Sequence, residues 1–180
     1  MKAVMVLSVF FVATALASES VYVDREDCPK ESCSYSELWF AEAEVDLLAE
    51  PKEGAVVVTT MTPGQAAVSR YGQVHTVPGT FVVRKDKGDF RVGDEVLVYT
   101  YLGEWTFKVS HNGIRKEVDL GISPYSEDGG VTCNEMHCWG ALKERLEFTW
   151  WVNIVSESGL WGWVKGSDGF RVIEPSNPYP

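Results

Sequence analysis

The residues whose chemistry could matter here are four cysteines, three histidines and an excess of tryptophan. Cys28, Cys33, Cys133 and Cys138 fall in two C-x4-C runs, CPKESC and CNEMHC. Kept reduced, such thiolates could hold zinc, with His137 as an added ligand. In an oxidising compartment the same residues pair as disulfides. Five residues apart is poor disulfide geometry on a regular helix, so a pair within one run needs a loop or turn. Pro29 and the polar residues around it suit a loop, which favours Cys28–Cys33 and Cys133–Cys138. A cross-link between the two runs is the alternative. A cysteine nucleophile would need His75 or His111 as its base. The histidines stand in different segments: His75 in an expected loop, His111 at an expected solvated strand end, His137 inside the second cysteine run. No H-E-x-x-H, G-x-S-x-G or phosphate-binding glycine loop is present. The acidic residues give neither a catalytic pair nor the alternating spacing of a Ca²⁺ loop. Without a convergent catalytic set, the reading is binding rather than catalysis, with no cofactor and no metal.

The compartment follows from the N-terminus. Lys2, the apolar run Ala3–Leu16 and Ala15-Leu16-Ala17 read as a leader cleaved after Ala17. The run is shorter than the roughly 20 residues a membrane span needs, and no cysteine follows Ala17 to carry a lipid. No second long apolar run occurs, so the expected mature chain has no membrane span and is periplasmic or secreted. Export in turn favours disulfides over zinc. With 16 Lys and Arg against 26 Asp and Glu, the net charge is −10. Loss of Lys2 with the leader leaves 15 against 26, or −11. That balance opposes binding to nucleic acid or to an anionic membrane surface, both of which select basic proteins.

The elements that must position any site are strands. Phe148–Val155 alternates, with Trp150, Val152 and Ile154 on one face and Trp151, Asn153 and Val155 on the other. Ser156–Gly159 is a turn and Leu160–Lys165 returns. Gly162, between Trp161 and Trp163, marks a place of close approach. Earlier, Glu42–Leu48 alternates, Glu50–Gly54 breaks it, and Ala55–Met61 and Ala66–Tyr71 follow as further strands. Between these regions, Gly79–Arg84, Val96–Tyr101, Trp105–Ser110 and Ile114–Leu120 read as a second set of strands. Asn112-Gly113 is a strong hairpin signal, because a I′ turn needs φ > 0 at both central positions. Ser34-Tyr35-Ser36-Glu37 matches a capping box and predicts a single helical turn. Trp139–Glu147 reads as one or two helical turns or a connector.

Trp-Trp-Val-x-Ile at 150–154, the Ser/Gly turn, and Gly162-Trp163-Val164 resemble the C-terminal half of a bacterial SH3-like (SH3b) domain. EVDLLAEPKEGAVVVTTMTPGQ at 44–65 resembles the start of the same fold. The resemblance implies an all-β fold: an SH3-like small β-barrel with a second, inserted or tandem, barrel-like unit and little helix. The expected layout is a leader (1–17), an arm (18–41) bearing Cys28 and Cys33, and a barrel made of 42–71 plus 148–173. The second β-unit is 75–120, a disulfide-bearing connector spans 121–147, and 174–180 is a tail. Two successive domains split near Tyr125–Gly130 are the alternative.

Adjacent residues on a strand point to opposite faces, so Trp150 and Trp151 cannot both enter one barrel interior. One of them is expected to be exposed or packed between the two β-units. The resemblance implies an aromatic-lined groove, and Trp151, Trp161 and Tyr101 are the candidates for it. The implied function is an exported, non-catalytic binding module for a cell-wall peptide or an envelope protein. The acidic balance suggests the alternative, an inhibitor of a cationic, lysozyme-like enzyme.

Overall fold

The computed structural model describes residues 21–25, 28–29, 35–128 and 138–173. Among them the fold is all-β, with thirteen strands and no helix. These are β1 (Tyr22–Arg25), β2 (Leu38–Ala41), β3 (Val45–Leu48), β4 (Val57–Met61), β5 (Ala66–Val77) and β6 (Gly79–Val83). Then come β7 (Glu95–Gly103), β8 (Thr106–His111), β9 (Ile114–Asp119) and β10 (Gly140–Leu142). The chain finishes with β11 (Glu147–Ser156), β12 (Trp161–Lys165) and β13 (Phe170–Ile173). No helix among the described residues is long and apolar enough to cross a membrane.

The strands form two sheets. The first runs β13-β2-β5-β11-β12-β3-β4, with β1 also paired to β5; the second runs β10-β6-β7-β8-β9. The first is therefore discontinuous in sequence: strands from 22–77 pair with strands from 147–173, and the chain between them makes the second sheet. It is curled, so that its two ends approach. A Cβ at Gly169, just before β13, would lie 2.9 Å from Cγ2 of Val45 on β3.

β5 is the central strand. β2 and β1 share one of its edges, against 66–68 and 73–76, while β11 runs along the other edge from Ala67 to Val77. A register shift opposite Asn153 and Ile154 accommodates Arg70 as an extra residue. The chain passes from the first sheet to the second at Pro78, where no ladder hydrogen bond can be donated. It returns between Leu142 and Glu147, beside that exit. Thus β5–β6 and β10–β11 form two long antiparallel runs that carry both sheets.

Each sheet has its own core. Trp39, Leu47, Met61, Val152, Ile154, Val164 and Phe170 fill the inside of the curl, with Trp150 packed against them. Phe81, Val96, Val98, Tyr101, Phe107, Val109 and Trp139 fill the second core, with Leu146 buried in it and Phe148 packed at its side.

The hairpins behave as their turn residues require. Asn112 and Gly113 have φ of 52° and 77°, and His111 pairs with Ile114 across them. Gly162 packs as a missing side chain should: a Cβ there would lie 2.7 Å from Cβ of Leu47. Elsewhere the structure departs from the pattern reading. Residues 35–37 form no helical turn and lead into β2. Of the 139–147 segment, three residues join the second sheet as β10, because they pair with Val83, Val82 and Phe81. β5 continues six residues past Tyr71, which puts His75 on a strand rather than in a loop. His111 is buried, not solvated: its ring lies 4.7 Å from Phe90 and its Nε2 is 2.9 Å from Asp94 Oδ2. The arm's Cys33, residues 129–137 with Cys133 and His137, the leader and the 174–180 tail lie outside the described residues.

Candidate functional site

Residues directly opposite on neighbouring strands share a face of the sheet. One face of the first sheet packs into the curl. The outer face carries Thr149 and His75 in one row, Trp151 and Gln73 in the next, then Asn153 with Tyr71 and Trp163. Trp151 and Trp163 are only 3% and 6% exposed, so this half of the outer face is covered. Trp150, on the inner face, is half-buried, with its ring edge-on to Trp39 at 6.2 Å and its Nε1 donating to the Tyr35 hydroxyl at 3.3 Å. Neither member of the Trp150/Trp151 pair is therefore solvent-exposed. Both are covered, Trp150 by packing inside the curl and Trp151 on the outer face.

A cleft of about 680 Å³ opens at the covered half. Its floor is His75, Thr149 and Trp151, where β5 and β11 run side by side. One wall is the β3–β4 loop, Pro51–Glu53, which Glu53 ties to β12 through Lys165 at 2.8 Å. Both of those side chains are exposed, so the pair positions the loop more than it stabilises it. The other wall is Tyr125 with Arg145–Phe148, at the return from the second sheet. A cleft where two packed units meet is a common setting for ligand binding.

The electrostatics are set by a few groups. His75 Nε2 lies 3.0 Å from Gln73 Oε1, and its ring centroid is 6.4 Å from that of Trp151. Burial, and then the Arg25 guanidinium, hold the His75 pKa below its ordinary value. His75 therefore presents a neutral imidazole at neutral pH. Burial, reinforced by Tyr101, pushes the Tyr125 phenol up to about 12. Its hydroxyl donates to the Pro29 carbonyl, which also demands the protonated form and ties the arm to this wall. A raised pKa of this kind favours folding below pH 10 and loses that effect as pH rises through about 12. Lys52 and Arg145 supply positive charge at the mouth, Glu53 and Glu147 negative charge.

Of the three residues expected to share a groove, only Trp151 lines this cleft. Trp161 lies on the same face of the sheet but at its other end, opposite Val155, and is 54% exposed. Tyr101 is in the second core, packed on Phe107 at 5.0 Å and Tyr125 at 5.7 Å. It supports the cleft wall through Tyr125 and does not face the cleft. Sequence reasoning missed His75, Thr149 and Tyr125. The only signal for the first two was their place on strands that pair, which no local pattern reveals.

Cys28 and Cys138 are disulfide-bonded, and no described cysteine is a free thiol. Among the described residues no group of three or more His, Cys, Asp or Glu could hold a metal ion. What the cleft offers is apolar and aromatic surface, a neutral imidazole and charge of both signs at the rim. Apolar walls with a few polar groups are the usual make-up of a ligand-binding cleft. Comparison with known proteins gives no match to any family model, curated protein or solved structure.

Proposed function

We propose that this chain is an exported, non-catalytic binding module of SH3b type. Its ligand is a cell-wall peptide or an envelope protein segment, held in the cleft over Trp151. The observation that carries the reading is the cleft itself: an aromatic floor, apolar walls from Val77, Leu146 and Phe148, and opposed charges at the mouth. Support comes also from the leader-like run at 1–17, read as an export signal, and from the two SH3b-like segments. The disulfides Cys28–Cys33 and Cys133–Cys138 belong to the same reading, as staples of an exported fold.

The test is co-sedimentation with purified peptidoglycan sacculi at low and high salt. Thr149→Arg fills the cleft floor without deleting buried atoms. Wild type should pellet at both salt concentrations and Thr149→Arg should stay in the supernatant. Failure of the wild type to pellet at either salt removes peptidoglycan as the ligand.

The charge of −10 favours a second reading, inhibition of a cationic, lysozyme-like enzyme. That reading requires inhibition of a basic lysozyme that weakens as salt is added.

A further inference from the structure

At the end of the first sheet away from the cleft, the outer face holds an unbroken apolar row. Ile173 on β13 pairs with Leu38 on β2, Leu38 with Val68 on β5, Val68 with Val155 on β11, and Val155 with Trp161 on β12. Each residue is directly opposite the next, so all five side chains project from one face. With strands about 4.8 Å apart, the row is roughly 19 Å long. Ile173, Leu38, Val68 and Trp161 are 42%, 40%, 43% and 54% exposed. The alternate residues Val172, Trp39 and Ala67 face the core, so the row is not a frayed part of that core.

An apolar row this long, crossing five strands, is not ordinary surface scatter. It lies on the outer face of the curl, and none of its residues lines the aromatic cleft. An antiparallel sheet with one face packed and the other apolar is completed by another sheet lying on it, at about 10 Å.

We infer that this row is the face through which two copies of the chain associate, sheet on sheet, about a two-fold axis. Three features select a second copy. First, the row matches itself: an axis through Val68 sets Trp161 against Ile173 and Val155 against Leu38, so large residues meet medium ones and the gap stays even. Second, no member of the row is charged, and the flanking Arg171 on β13 is engaged within its own chain, 5.1 Å over the Phe40 ring and 3.7 Å from Glu42. Two chains of charge −10 can approach there without bringing like side-chain charges face to face. Third, the area fits a modest dimer. Four half-exposed side chains of this size leave on the order of 400 Å² uncovered, about half of what one partner gives a standard interface. The association is therefore weak and reversible, and the charge of each chain opposes it at low salt.

Sedimentation velocity on the purified protein, from about 5 to about 500 μM, reads this directly. The wild type should pass from monomer to dimer within that range, and added salt should strengthen the dimer several-fold. Val68→Lys, at the centre of the row, should weaken it at least tenfold with unchanged thermal unfolding. Trp161→Gln, at the row's end, should weaken it in the same direction and decides the matter if Val68→Lys fails to fold. Val58→Lys, on the free edge of β4, should leave it intact. A wild type that stays monomeric throughout overturns the proposal. So does a dimer that survives both row variants, or one abolished only by Val58→Lys, which would mean pairing at the strand edge.

Discussion

The two ends of one sheet face have opposite fates. Trp163 and Trp161 are two residues apart on β12 and point the same way, yet one is 6% exposed and the other 54%. Around Trp163 the face is covered, with Tyr71 edge-on at 5.4 Å and Asn153 fully buried beside it. Around Trp161 it is open. Side-chain type does not separate them; what lies over the sheet does. The β3–β4 loop and the return from the second sheet flank Trp151, one row from Trp163, whereas Trp161 stands at the other end of the face. Aromatic content in a strand therefore identifies a surface able to be covered, and the topology decides whether this chain covers it or leaves it for a partner.

The contrast can be broken most directly by truncation. Trp163→Ala should cost about 3–5 kcal/mol, as for a buried aromatic. Trp161→Ala should cost no more than about 0.5–1 kcal/mol in the monomer, as for a surface change. Urea unfolding of the two variants checks both, and equal losses would remove the distinction. Between them, Gly162→Ala should cost about 1–3 kcal/mol, because its Cβ meets Leu47 Cβ at 2.7 Å and the Leu48 carbonyl at 3.0 Å. A smaller effect, of opposite sign, is expected at Asn153. Its side chain is buried and neither polar atom has a hydrogen-bond partner among the described residues. Asn153→Leu should therefore stabilise by about 1 kcal/mol, read as a higher urea midpoint at unchanged slope.

The smallest effect is one of pH. His75 has a folded pKa below its ordinary 6.5, so its contribution to stability is present above pH 6.5. It is lost as pH falls from there through the folded value, because the unfolded chain takes the proton first. His75→Gln should flatten stability in that window and leave the more acidic limb unchanged. Asp94 and Asp89 act in that lower limb, held below 3.8 by the Arg91 amide and by Lys116 respectively. An unaltered pH profile in His75→Gln would show that the imidazole is not held neutral by its surroundings. None of these measurements should move at the open end of the face.

Much of the strand pattern was legible because it is local. The alternation from Phe148 to Val155 places Trp150 and Trp151 on opposite faces, and Asn112-Gly113 locates its hairpin. Where local rules were overridden, the reason is visible. Gly72, Gln73, His75 and Thr76 do not look like a strand interior, yet they are held in β5 by β1 on one edge and β11 on the other. The β7–β8 turn is made by Glu104 and Trp105, both with positive φ (44° and 63°), residues that disfavour that conformation. The flanking ladder and the bond from Leu120 N to the Trp105 carbonyl hold it there. Helix expected at 34–37 gave way because the segment bonds to β5, with Ser36 N donating to the Ser69 carbonyl.

By itself the sequence determined an all-β chain, its hairpins and the alternation that sorts side chains between faces, because turn chemistry and pleat are properties of neighbouring residues. Which strands pair was decided only in three dimensions. β5 meets β11 across the 69 residues between them, and no residue records its partner across that distance. The cleft and the open row follow from that pairing. His75 and Thr149 become neighbours, and five apolar residues from four separate stretches of chain fall into line, once the sheet closes.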